Sequence, residues 1–210
     1  FASHNMAAVS QLCTKAILLN EGEIVAEGKS EDIVALYIGQ QCELRAHRVY
    51  REQYPGDDNV RLLSCRFLQG DRVSEVFDIN EESRVELKFV VLRPLKNLIT
   101  GMNVYNAENI CLFDTVDWRE NELEPGVYTK ELVFPGRLFA EGRMSILIHF
   151  TLYDPVRTCF YLPDVLAVEG IDSSHPKSVR GRYKGVWPGV LRPELQWTDH
   201  RRVPDGDGSG

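Results

Sequence analysis

From Asn59 onward, apolar and polar positions alternate in short runs, each closed by turn residues. Val60 to Phe67 is predicted as a strand that ends at Gln69-Gly70-Asp71. Arg84 to Val91 places Val85, Leu87, Phe89 and Val91 on one face. Thr100 to Tyr105 and Ile110 to Thr115 flank Asn106-Ala107-Glu108-Asn109 and read as a hairpin, because Asn tolerates the left-handed backbone that tight turns need. Val127 to Phe134 follows Pro125-Gly126, and Met144, Ile146, Ile148 and Phe150 alternate with Ser145, Leu147, His149 and Thr151. A further strand is expected around Ala167 to Glu169, and Gly185 to Trp197 reads as a last, edge-strand-like segment. A period of two, sustained over about seven or eight short strands with frequent turns, predicts a mainly β chain: an antiparallel Ig-like or jelly-roll β-sandwich over 59–200.

The first forty residues have a different rhythm. Ser3 is placed to cap a helix from about Asn5 to Cys13, with Met6, Val9 and Leu12 on one face. Lys15 to Asn20 and Glu23 to Glu27 read as two strands joined at Glu21-Gly22, and Gly28 is expected to break the second. Ser30 is expected to cap another helix, with Glu31 and Asp32 in its first turn and Ile33, Val34 and Tyr37 as its packing face. Residues 41–58 are polar and contain Tyr54-Pro55-Gly56-Asp57-Asp58, which predicts a linker. Residues 201–210 are expected to be a disordered tail.

Composition changes this picture little but removes some functions. The 210 residues are 43% hydrophobic and 26% charged, ordinary for a globular protein, and the net charge is −7. That charge argues against nucleic acid as a partner, since phosphate neutralisation needs a positive field. The one basic cluster, Lys177, Arg180, Arg182 and Lys184, is interrupted by Tyr, Gly and Ser and reads as a solvated loop. No run of apolar residues is long enough for a membrane-spanning helix. The 5 cysteines are odd in number and widely spaced, so neither a disulfide framework nor a zinc site is suggested. Phe1-Ala2-Ser3 reads as the end of a strand, so the sequence is expected to begin inside a longer protein.

Ser3-His4-Asn5-Met6-Ala7-Ala8-Val9, then Cys13, then Ala16 to Gly28 with Gly22 between two apolar strands, resembles the end of an ABC-transporter ATPase domain. The resemblance implies that residues 1–40 are the C-terminal remnant of that domain. It also implies that His4 is the catalytic switch histidine, which contacts the γ-phosphate of ATP. The phosphate-cradling Gly-rich loop and the carboxylate that holds Mg²⁺ are not in this sequence, so no ATPase activity and no cofactor are expected of it; ATP and Mg²⁺ would belong to the parent protein.

The second half resembles the C-terminal domain of polysaccharide-exporting ABC ATPases of the Wzt type. Three segments carry it: Gly101 to Ile110 with Asp114-Thr115, where the family more often has Asn-Thr; Phe139 to Ile148, with Met144 in place of an aromatic; and Tyr161 to Val168. The resemblance implies a carbohydrate-binding, non-catalytic module that recognises a bacterial polysaccharide such as O-antigen, at its non-reducing end, before export. It further implies a membrane-spanning permease partner, a homodimer to which a C-terminal strand contributes, and a place at the cytoplasmic face of the inner membrane.

Alternation also defines a candidate glycan surface. With Val85, Leu87, Met102, Val104, Ile146 and Ile148 facing inward, Glu86, Lys88, Asn103, Tyr105, Leu147 and His149 face outward. Tyr105 would stack on a sugar ring, Asn103 and His149 would hydrogen-bond hydroxyls, Lys88 would meet an anionic substituent, and Trp118 would rim the groove. The alternatives are an ordinary solvated sheet face on a structural dimerisation domain, or a glycan-processing enzyme using Asp114 with Asp117, or Glu122 with Glu124, as acid and base. Trp187 and Trp197 are read as structural or dimer-contact residues.

Overall fold

The computed structural model describes residues 9–10, 12–20, 22–41, 43–153, 155–173, 178, 180–181, 183, 185, 187–193 and 195–198. His4, most of the first expected helix and the 201–210 tail lie outside them. Cys13 N donates to Val9 O at 3.0 Å, a helical hydrogen bond at the end of that first helix, and Leu12 there is exposed.

β1 (Lys15–Asn20) and β2 (Glu23–Lys29) form an antiparallel hairpin. Gly28 does not break β2; it pairs with Ala16 inside the ladder. The helix α1 (Ser30–Gln41) packs on this hairpin through buried Ile33 and Val34. Ser30 Oγ donates to the Cys13 carbonyl, so the side chain ties the helix start to the segment before β1.

The rest is two face-to-face sheets. In the first, the order is β10 (Cys111–Asp117), β9 (Leu98–Asn106), β13 (Gly142–Tyr153), β14 (Val156–Ile171), β6 (Val76–Asp78). In the second it is β12 (Gly126–Phe134), β7 (Ser83–Val91), β4 (Val60–Gln69), β3 (His47–Val49), with β5 (Arg72–Val73) folded back on β4. β8 (Leu95–Lys96) and β11 (Glu122–Leu123) make a small separate pair. All pairings are antiparallel except β14 with β6.

Inward positions of both sheets meet in one core, as alternation requires of a half-buried strand. Its centre is aromatic: Phe150 meets Phe160 at 4.6 Å and Phe89 edge-on at 5.1 Å, while Phe134 and Phe139 meet at 5.1 Å near the other end. All six inward positions expected from the pattern are buried.

The stretch expected as a linker contains part of the sandwich. Within 41–58, β3 pairs with β4, Arg45 exchanges backbone hydrogen bonds with Ala167 at 2.7 and 2.9 Å, and Ala46 is buried between them. β14 is far longer than the strand expected around Ala167. By contrast, 185–197 does not form a strand among its described residues: its one ladder contact is the Phe139–Leu191 bridge. Arg192, buried beside it, donates to Glu141 at 3.1 Å and stacks over Trp187, which pins this segment to the sandwich.

Candidate functional site

The site lies on the outer face of the β10-β9-β13-β14 sheet. With Met102, Val104, Ile146 and Ile148 turned inward, the neighbours one position along turn outward, and the register aligns them in rows. Val116, Gly101, His149 and Tyr161 form one row, and Asp114, Asn103 and Leu147 the next. Cys111, Tyr105 and Ser145 form a third.

His149 and Tyr161 stack with ring centroids 6.2 Å apart and planes 28° apart. His149 Nε2 lies 3.9 Å from Asp114 Oδ1. The imidazole fits there because its cross-strand neighbour is glycine: a Cβ on Gly101 would stand 2.2 Å from His149 Nε2 and 2.8 Å from Val116 Cγ1. Tyr105 is half-buried beside Tyr161. Its phenol is pushed up to about 12, first by burial and then by its hydrogen bond to Tyr161, so it stays protonated across the physiological range. Asn103 Nδ2 reaches Cys111 Sγ at 3.9 Å. The result is a surface of flat rings bordered by an amide, an imidazole and a carboxylate, able to stack on C–H faces and hydrogen-bond hydroxyls.

Of the residues singled out from sequence, Tyr105, Asn103 and His149 come together. Trp118 follows β10 on the same face, 65% exposed and edge-on to Tyr153 at 5.8 Å. Lys88 does not join them. It is exposed on β7, between Thr129 and Ser64 on the outer face of the opposite sheet, because alternation gives a strand's faces but not which sheet it enters. Glu86 lies on that same opposite sheet, in a two-pronged pair with Arg66 at 2.8 and 3.0 Å. Leu147 is only 3% exposed. It faces the place where β14 carries extra residues between Leu162 and Leu166, with Asp164 at φ 49°. Tyr161, Tyr153 and Asp114 are the members that pattern reading left out of the binding set. Tyr161 had a legible signal, standing between inward-facing Phe160 and Leu162.

The carboxylate pairs considered for acid–base chemistry do not converge. Asp114 faces outward. Asp117 turns inward and meets Arg119 at 2.6 Å and Lys130 of β12 at 2.8 Å, across the open side of the sandwich. Glu122 pairs with Lys96 at 2.6 Å. Among the described residues no group of three or more His, Cys, Asp or Glu is placed to hold a metal ion.

Asp117 has a consequence for acid stability. The hydrogen bonds from Arg119 and then Lys130 hold its carboxyl well below the usual carboxylate range. A depressed folded pKa means the stabilisation is complete above about pH 4 and is lost as pH falls through the folded value. Asp117→Asn is expected to melt at a lower temperature than the parent at pH 7 and to lose less on acidification to pH 3. Parallel melting curves across that range would disprove the role given to this ion pair.

No family model matches the chain. The crystal structure of the C-terminal domain of wzt superposes with a TM-score of 0.54 at 13% identity, covering 73% of this chain and 93% of that one. The fold is that β-sandwich fold. In sequence, the ribose import ATP-binding protein RbsA 2 of Rhizobium meliloti (strain 1021) is 26% identical over 134 residues. That similarity covers 60% of this chain and 24% of the relative, so the chain spans about a quarter of that protein. Both resemblances read from sequence thus have a counterpart: a transporter ATP-binding protein is similar in sequence, and the Wzt C-terminal domain shares the fold. Among the described residues no helix is long and apolar enough to cross a membrane.

Proposed function

We propose that this chain is the glycan-recognition module of an ABC transporter ATPase that exports a bacterial O-antigen or related polysaccharide. The observation that carries the reading is the Tyr105–Tyr161–His149 cluster with Asn103 and Asp114 at its border, on the outer face of that sheet. Lys88, on the opposite sheet, has no part in it. Recognition is non-catalytic: Asp114 and Asp117 lie on opposite sides of their sheet. In the parent protein residues 1–40 end the ATPase domain and His4 is its switch histidine, with ATP and Mg²⁺ held by other parts of it. The exposed apolar side chains of Ile17, Leu19 and Ile24 on the β1–β2 hairpin support this, since such a surface is normally covered by a larger body. The permease then brings the whole to the cytoplasmic face of the inner membrane.

The test is calorimetric titration with the surface polysaccharide of the producing cells. The parent chain is expected to bind saturably without releasing reducing ends. Tyr105→Ala is expected to weaken binding at least tenfold. Equal affinity in parent and variant would refute the assignment.

A homodimer is part of the same proposal. Trp197 is 93% exposed and Leu195 is also largely bare, as suits side chains that a second copy covers. Trp197→Ser is expected to shift sedimentation from dimer towards monomer; an unchanged dimer would remove Trp197 from the contact.

A further inference from the structure

The glycan face carries two aromatic platforms rather than one. The first is Tyr161 with His149 and Tyr105. The second is Trp118 edge-on to Tyr153 at 5.8 Å, at the end of the same sheet face. Strand alternation links them: Asp114, Val116 and Trp118 follow along β10 and its exit, and His149, Thr151 and Tyr153 along β13. Ile99, on the same face of β9 between the platforms' strands, is buried. Tyr161 is 57% and Tyr153 55% exposed, so each platform presents a ring to solvent.

We infer that this face binds a run of consecutive sugars laid along β13. The inference rests on the glycan reading above and names the shape of its ligand. From His149 to Tyr153 is four strand positions, about 13 Å at the usual rise, longer than one pyranose ring but within reach of roughly three or four linked units. Rings at both ends stack on two separate sugars, while Asp114 and Asn103, beside the first platform, take hydroxyls. Two moderate stacking contacts on one linear ligand add through the linkage between them, so affinity rises with length until both platforms are engaged.

The experiment uses sized fragments of the producing cells' surface polysaccharide, from one to eight sugars, titrated into the 210-residue chain. The dissociation constant is expected to fall at least tenfold between two and four sugars and to level off beyond. Trp118→Ala is expected to abolish that gain while leaving the melting temperature unchanged, and Tyr153→Ser is expected to do the same. Affinity that is independent of length, or a length gain that survives both substitutions, would overturn the inference while leaving glycan recognition standing. Failure of every fragment and of the intact polysaccharide to bind would instead remove the glycan reading, and this inference with it.

Discussion

Phe150→Ala is expected to remove about 3–5 kcal/mol of stability, the largest loss of any single truncation considered for this sandwich. Phe150 is fully buried on the central β13, where it stacks on Phe160 of β14 and receives the edge of Phe89 from the opposite sheet. It therefore joins two strands of one sheet and the two sheets to each other, and the cavity left behind cannot close from either side. For a chain of this size the loss corresponds to roughly 6–20 °C in melting temperature. Thermal unfolding followed by near-UV circular dichroism checks it. A shift of 2 °C or less would mean that the aromatic centre is loosely packed and that the sheets are held elsewhere.

The second large effect is expected at Gly101→Ala. A methyl group there meets His149 Nε2 at 2.2 Å and Val116 Cγ1 at 2.8 Å, so the imidazole must leave its seat beside Asp114 and lose its stack on Tyr161. Overpacking of this kind costs about 1–3 kcal/mol, and the same movement dismantles the first aromatic platform. Glycan affinity is expected to fall at least tenfold together with the melting temperature. A double-mutant cycle separates the cause from general strain. In a His149→Ala background, Gly101→Ala is expected to cost much less, with a coupling of about 1–2 kcal/mol. Additive losses would show that His149 does not sit over Gly101.

The same residues explain how far the sequence could be read. β7, β9 and β13 are legible because their inward positions, Ser83 and Thr100 apart, are apolar and their outward ones mostly are not. Tyr105, Asn103 and His149 therefore emerged on one face of one sheet. Lys88 shares their local pattern but not their sheet; sheet membership is fixed by long-range pairing, β7 with β4 and β12, which no local period encodes. β14 is longer than its pattern suggests because Pro163 and the extra residues opposite Leu147 interrupt its alternation, and a proline inside a run argues against a continuous strand. That interruption also hid Tyr161, which completes the ring cluster. β3 and β6 are three residues each, too short to show a period, and they lie in stretches whose polar composition reads as loop. The role of Gly101 as the floor under His149 exists only once β9 and β13 are in register.

The central claim is that one outer sheet face, built on Tyr105, Tyr161, His149 and Asn103, receives a polysaccharide. Residue-resolved NMR during titration with the surface polysaccharide of the producing cells tests it most directly. Saturable shifts are expected at those residues, Asp114 and the Trp118–Tyr153 end alone, with Lys88 and its neighbours Ser64 and Thr129 unmoved. Shifts centred on Lys88 and the outer face of the opposite sheet, or no saturable shift at any residue, would contradict it.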